Sequence, residues 1–296
     1  MKPSFKRPSY PVNFNRELDS IITRGLQEDL GEGDHTTLAT IPKPVQATGK
    51  LLVKAEGVIA GVSVAERIFQ KVDRKIKVQT LITDGAQVKK GDIVFTVHGS
   101  ARSLLSAERL VLNCMQRMSG IATQAQLLTR LCKGTKATVI DTRKTTPGIR
   151  LLEKWAVAAG GAQNHRYGLF DMILIKDNHI DCSGGITQAI TSAQAYLKRR
   201  GKKMDIEIEV RNIAEVKEVM QAGGVKTILL DNLTPANTAK AVKIIGGRFI
   251  TEASGGITEK NIRAYALTGV DYISTGALTH SVKNLDLSLK IHAENH

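Results

Sequence analysis

From about residue 137 onward the chain falls into a regular rhythm. Short apolar runs end at Ile140, Ile175, Val210, Leu230, Ile250 and Ile273, and helical patterns fill the intervals. Strands alternating with helices predict a parallel sheet with crossover helices, either wound open or closed as a barrel. The residues at the run ends favour the barrel. Asp141, Arg143 and Lys144, then Lys176, Glu207 and Glu209, Asp231, Glu252 and Ser254, and Thr275 all lie at or near the carboxyl end of a run. A barrel gathers every strand end at one mouth, where active sites sit, whereas a doubly wound sheet gathers only those beside its switch point.

The first half reads differently. Residues 1–13 contain Pro and Lys without periodicity and are expected to form an arm. Leu18, Ile21, Ile22 and Leu26 recur at helical spacing up to Gly31, which predicts a helix near 15–30. Between 45 and 98 strands dominate, at Gln46–Lys54, Lys75–Leu81 and Ile93–Val97, with one helix at Val62–Val72 and turn residues over Asp84–Asp92. A long helix follows from about Ser103 to Leu131, carrying Leu104, Leu105, Leu110, Val111, Met115 and Met118.

The net charge of +14 on 296 residues admits a nucleic-acid binder, a membrane-surface protein or an enzyme with strongly acidic substrates. Aromatic residues make up only 4%, which argues against stacking single-stranded bases. The basic residues are scattered, apart from Lys198-Arg199-Arg200 with Lys202-Lys203, which reads as a solvated loop after a helix. Cys114, Cys132 and Cys182 show no CxxC spacing and predict free thiols in a reducing compartment. With neither an apolar leader segment nor an apolar run approaching ~18 residues, the expected location is the cytoplasm, with no membrane partner.

The chemistry concentrates between Asp141 and His179. Arg143 and Lys144 offer a two-pronged grip and a compact point charge for phosphate or carboxylate. Pro147 is expected near the first turn of a helix through Leu151, Leu152, Trp155 and Ala159, whose free N–H groups would add anion affinity. His165-Arg166 lies in the loop after Gly160-Gly161. Lys176 leaves a buried strand and suits an anion contact, a Schiff base or an ion pair with Asp177 or Asp231; His179 is expected to hydrogen-bond rather than ligate metal. Glu207 and Glu209 share one strand face, Glu207 being open to an ion-paired scaffold role. Glu209 and Asp231 suit sugar hydroxyls or a Mg²⁺ bridging phosphate oxygens. Ser254-Gly255-Gly256 and Thr275-Gly276-Ala277 put small residues just past two strands, where backbone N–H groups can approach a phosphate. With no GxGxxG or Walker sequence, dinucleotide or ATP binding is not indicated. The pattern as a whole predicts a pocket for a polyanionic small molecule.

Several blocks together carry a resemblance: Glu28–Asp34, Glu108-Arg109-Leu-Val-Leu-Asn113, Ser119–Thr123, Asp141-Thr142-Arg143-Lys144-Thr145, Asn164-His165-Arg166, Ile175–Ile180, Leu230-Asp231-Asn232 and Thr275–His280. The chain resembles the quinolinate phosphoribosyltransferases over nearly all its length. The resemblance implies an incomplete (β/α) barrel over 119–281 and an amino-terminal α/β sandwich over 14–118, the latter joined by a carboxyl-terminal helix at 282–296. It implies phosphoribosyl transfer from phosphoribosyl pyrophosphate to quinolinate with decarboxylation, for NAD biosynthesis, with Mg²⁺. It further implies a homodimer in which Arg109 reaches the neighbour's active site, with a hexamer as a further assembly. Arg109, Arg143, His165, Arg166 and Lys176 would share the quinolinate carboxylates, with Thr142, Lys144 and Lys176 on the substrate-binding face. Ser254–Gly256 and Thr275–Ala277 would hold the 5-phosphate. Lys144, Lys176, Glu209 and Asp231 would carry catalysis.

Three other readings compete: a class I aldolase using Lys176, a basic nucleic-acid binder, and a paralogue that keeps the fold with another acid substrate.

Overall fold

The structure is a computed structural model and describes residues 9–41 and 43–294; residues 1–8 of the expected arm and 295–296 of the expected final helix lie outside the described residues. The chain divides into two compact units. One comprises Met1–Gln126, Thr145–Gly161 and Leu278–His296, the other Leu127–Lys144 and Ala162–Ala277.

The first unit opens with α1 (Phe14–Leu30), started by Asn13, whose side chain accepts from the Arg16 N–H, and ended at Gly31. The short α2 (His35–Thr40) is capped in the same way by Asp34. Then come β1 (Gln46–Val53), β2 (Gly57–Val58), α3 (Val62–Val72), β3 (Lys77–Thr80), β4 (Gln87–Val88), β5 (Ile93–Ser100) and α4 (Ala101–Leu131). β1 alternates buried and less buried residues, as expected of a strand with one face on a core. α3 buries Val64, Ala65, Ile68 and Phe69, and Phe69 meets Phe95 of β5 edge-on with ring centroids 6.0 Å apart. Within α4, a Cβ at Gly120 would collide with the backbone carbonyl of Lys283, so a side chain there is excluded by close packing.

The second unit begins at β6 (Thr138–Ile140) and continues with β7 (Ile173–Ile175), α6 (Asp177–Ser183), α7 (Ile186–Arg200), β8 (Ile206–Val210), α8 (Ile213–Ala222), β9 (Thr227–Asp231), α9 (Pro235–Ile245), β10 (Ile250–Ser254), α10 (Ile262–Ala266) and β11 (Tyr272–Ser274). α5 itself spans Arg150–Ala159 and belongs to the first unit. The final strand, β12 (Leu287–Ala293), also belongs to the first unit.

Two main sheets result. The first unit holds a four-stranded sheet in the order β12-β1-β5-β3, and its pairings are antiparallel. The second holds a six-stranded parallel sheet in the order β6-β11-β10-β9-β8-β7. The first strand pairs with the last, as in a barrel, while no ladder joins β6 to β7 among the described residues. This is an incomplete barrel: its parallel strands bring their carboxyl ends to one edge, so the run-end residues share a mouth.

Three expectations need correction. Residues 287–293 form a strand, not part of a helix over 282–296. Leu285, Leu287 and Leu289 are buried at every second position, and β12 pairs with β1 from Leu287↔Val53 to Ala293↔Ala47. Lys198, Arg199 and Arg200 form the last turn of α7 rather than a loop; Gly201, left-handed at φ 61°, stops the helix just beyond them. Cations there oppose the negative end of the helix dipole. Pro147 lies before α5, which starts at Arg150. Glu153, in its first turn and fully buried, accepts from Thr146 N at 3.0 Å, Thr146 Oγ1 at 2.8 Å and Arg117 Nη2 at 2.8 Å.

Candidate active site

The loop after β6 begins with Asp141, which is fully buried. Its two carboxylate oxygens accept from the His165 backbone N–H and from Asn164 Nδ2, each at 2.8 Å. This ties the 141–144 segment to the Asn164–Arg166 turn across 24 residues of chain. Thr142 Oγ1 accepts the Lys144 N–H at 3.0 Å and shapes the turn that presents Arg143 and Lys144, both exposed.

His165 Nε2 is 3.0 Å from Glu207 Oε2 and 3.4 Å from Glu252 Oε2. Its Nδ1 accepts the Arg166 N–H at 2.7 Å. Burial acts to lower the pKa of the imidazole, but the hydrogen bonds to Glu207 and Glu252 outweigh it and raise the value to about 10. Because Nδ1 accepts the Arg166 N–H, the ring presents the proton of Nε2 to the two carboxylates. Burial and the charge of Glu252 raise Glu207 to about 7. Oε1 of each glutamate is buried without a hydrogen-bond partner.

Arg166 donates through Nη1 to the Met172 carbonyl at 3.2 Å. Burial, then the charge of Arg143, lower its pKa, while the charges of Glu207 and Asp171 oppose them. Lys176 follows β7 and pairs with Glu209 at 3.3 Å rather than with Asp177 or Asp231. Its side chain is 51% exposed, unlike the desolvated amine of a Schiff-base lysine. His179 Nδ1 accepts the Lys176 N–H at 2.9 Å, a hydrogen-bonding role at the start of α6.

Glu209 is buried, and its pKa is raised by burial; Lys176 opposes that effect and Asp231 adds to it, which places the two carboxylates near one another. Asp231 ends β9 and accepts from Asn232 Nδ2 at 2.5 Å. Asn232, at φ 53°, is a left-handed non-glycine residue, and its N–H donates to the Ser254 carbonyl at 2.9 Å. That bond joins the β9 and β10 loops. Gly255 and Gly256 follow at φ 91° and 60°. In the next loop Thr275 donates through Oγ1 to the Ile257 carbonyl at 2.7 Å and accepts from the Ala277 N–H at 3.2 Å, while Gly276–Leu278 makes a short 3₁₀ turn. Arg109 lies in the other unit, in a groove of about 520 Å³ with Lys54, Lys90, Glu108 and Asp286.

The barrel unit thus brings together Thr142, Arg143, Lys144, His165, Arg166, Lys176, Glu209, Asp231, Ser254–Gly256 and Thr275–Ala277 on the ends of neighbouring strands. Motif reading gives no binding role to Asp141, Glu207, Glu252 or Asn232. The alternation of acidic with apolar residues over Ile206–Val210 is the one sequence signal for Glu207, and a place near the end of an apolar run is the one for Glu252.

Known proteins resemble the chain along nearly its whole length. Residues 34–119 match the quinolinate phosphoribosyl transferase N-terminal domain, and residues 121–290 match the C-terminal domain. A quinolinate phosphoribosyltransferase [decarboxylating] of Nicotiana tabacum is 46% identical over 98% of this chain and 85% of its own length. A probable nicotinate-nucleotide pyrophosphorylase [carboxylating] of Bacillus subtilis is 39% identical over 94% and 95% respectively. The crystal structure of NadC from Streptococcus pyogenes superposes with a TM-score of 0.90 at 37% identity, covering 97% of this chain and all of that one. The chain belongs to the quinolinate phosphoribosyltransferase family.

Proposed function

We propose that the chain transfers the phosphoribosyl group of phosphoribosyl pyrophosphate to the ring nitrogen of quinolinate. Pyrophosphate and carbon dioxide leave, and nicotinate mononucleotide remains, as a step in NAD biosynthesis. The observation that carries this reading is the Asp141 tether that joins the Arg143-Lys144 turn to the His165-Arg166 turn, at a mouth that also holds Lys176 beside Glu209. Two guanidiniums held near each other repel, and a dicarboxylate between them relieves that repulsion.

Arg143 and Arg166 grip the quinolinate carboxylates, with Lys176 and the Arg109 of a partner copy completing the cationic ring. His165 contributes through the turn that carries Arg166. Lys144, Lys176 and Thr142 face the donor's pyrophosphate, and the Ser254–Gly256 and Thr275–Ala277 loops take its 5-phosphate. Glu209 and Asp231 hold ribose hydroxyls.

The ring nitrogen attacks the anomeric carbon as the bond to pyrophosphate breaks. The product is a pyridinium, which accepts the electron pair left when the adjacent carboxylate departs as carbon dioxide; a solvent proton then fills that carbon. Alignment and charge stabilisation supply the rate, and no covalent enzyme intermediate is required. Mg²⁺ fits at Glu209 and Asp231, because oxygen-only donors at the ends of adjacent strands suit a hard cation. The substrate phosphates would be its main ligands, and bound there it would supply positive charge against the departing pyrophosphate.

The working assembly in this reading is a homodimer, with a hexamer as a further assembly. The working compartment is the cytoplasm, a setting compatible with free Cys114, Cys132 and Cys182. Among the described residues no helix is long and apolar enough to cross a membrane.

The test is incubation with quinolinate labelled in the carboxylate next to nitrogen, the phosphoribosyl donor and Mg²⁺, with nicotinate as the control acid. Labelled carbon dioxide with quinolinate, and no mononucleotide from nicotinate, is the expected result. Turnover of nicotinate instead would assign the fold to another acid substrate.

A further inference from the structure

Beneath the convergent cations lies a buried group that binding itself does not require. Asp141 follows β6, Glu252 lies in β10 and Glu207 in β8, and these are alternate strands of the sheet order. Their relative exposures are 0%, 2% and 2%. Alternate barrel strands send side chains into common interior layers, which here are acidic rather than aliphatic. All three acids act on one turn: Asp141 on the backbone of His165, and Glu207 and Glu252 on its ring.

The donor atoms of His165, Glu207 and Glu252 lie within 4.8 Å of one another, a spacing that a metal ion could use. The ring decides against it. A metal on Nε2 needs the proton on Nδ1, but Nδ1 accepts the Arg166 N–H at 2.7 Å. The group is therefore a hydrogen-bonded brace.

We infer that Glu207 and Glu252 are positioning residues for the acid-substrate pocket. By gripping the ring of His165 from the barrel interior, they fix the Asn164–Arg166 turn and hold the Arg166 guanidinium close to Arg143. Without such a brace the turn keeps its Asp141 bonds and the Arg166 contact with the Met172 carbonyl, but the guanidinium is freer to turn outward into water, where its charge is better solvated. The brace keeps the pair in place before substrate arrives, so binding energy is not spent on assembling it. This inference rests on the function proposed above.

The test uses the full chain with Glu207→Leu and Glu252→Leu, which remove the acceptor at similar volume, and with Glu207→Gln and Glu252→Gln, which keep an acceptor without charge. The leucine variants should raise the KM for quinolinate about tenfold or more while the KM for the phosphoribosyl donor stays within about twofold. The glutamine variants should recover most of the loss. A merely structural role would lower the active fraction, and hence kcat, without separating the two KM values. Equal shifts in both KM values, or an unchanged quinolinate KM in a folded leucine variant, would overturn the inference.

Should the leucine variants fail to fold, the ¹⁵N spectrum of His165 in the wild-type chain decides, and it needs no substrate. A proton on Nε2 is expected; a bare Nε2 overturns the brace. A wild-type chain that shows this proton yet does not consume quinolinate would count against the proposed function and leave the brace standing.

Discussion

Asp141 Oδ1 accepts the backbone N–H of His165 at 2.8 Å, and by this bond a residue outside the binding face sets the position of two cationic motifs. Its other oxygen is taken by Asn164 Nδ2. Asp141→Ala removes both acceptors inside a buried site. Leaving buried donors without acceptors costs about 1–3 kcal/mol each, so a stability loss of roughly 2–4 kcal/mol is expected in urea unfolding, with a weakened affinity for the acid substrate. Asp141→Asn keeps one acceptor but turns an amide NH₂ toward a donor, and should lie between Asp141→Ala and the wild type.

Lys144 is exposed on the turn shaped by Thr142, and the role proposed for it is electrostatic. Lys144→Ala should lower turnover by about 10²–10³, the scale of losing one charge aimed at the transition state, with little change in the unfolding midpoint. Near-normal steady-state kinetics would remove Lys144 from the mechanism.

Gly255 has a φ of 91°, and a Cβ there would collide with Oδ1 of Asn232. Asn232 is itself bonded to Asp231 and to Ser254, so the displacement would reach both strand-end loops. Gly255→Ala should cost about 1–2 kcal/mol of stability from the backbone conformation alone. It should also raise the KM for the phosphoribosyl donor more than that for quinolinate. The opposite ordering would show that this loop serves the acid substrate.

Asp84 gives a pH test away from the site. Its Oδ1 accepts the Val62 N–H at 2.9 Å at the start of α3. Burial raises its pKa from 3.8 to about 6, against the effect of that bond and of one from Gly61. With the folded value above the unfolded one, the native state holds the extra proton between the two values. The stability this contributes is full below about pH 4 and is lost as pH rises through about 6. Asp84→Asn keeps the acceptor and has no such loss. Relative to the wild type it should therefore gain stability from pH 4 to 7, reaching roughly 1–2 kcal/mol after allowance for water at the rim of this partly buried carboxyl. Parallel unfolding midpoints across that range would refute the assignment.

The sequence alone determined the features governed by local repeats. Helical spacing marked α1 and α3, and α3 spans the expected Val62–Val72. The apolar runs became the six parallel strands, and their carboxyl ends collected Arg143, Lys176, Glu209, Asp231 and Thr275 at one mouth. Period and punctuation suffice there because each element is set by its own neighbours. Tertiary structure decided what depends on a distant partner. Residues 287–293 became a strand because β1 supplied an open edge more than 230 positions earlier in the chain. Lys176 chose Glu209 over the nearer Asp177, and Glu252 of β10 met His165 only because Asp141, after β6, holds the His165 turn against the same interior. A carboxylate carries the same letter on a wet rim or under a histidine ring. Burial and the approach of chain segments distant in sequence settle which it is, and neither is encoded in the spacing of residues along the chain.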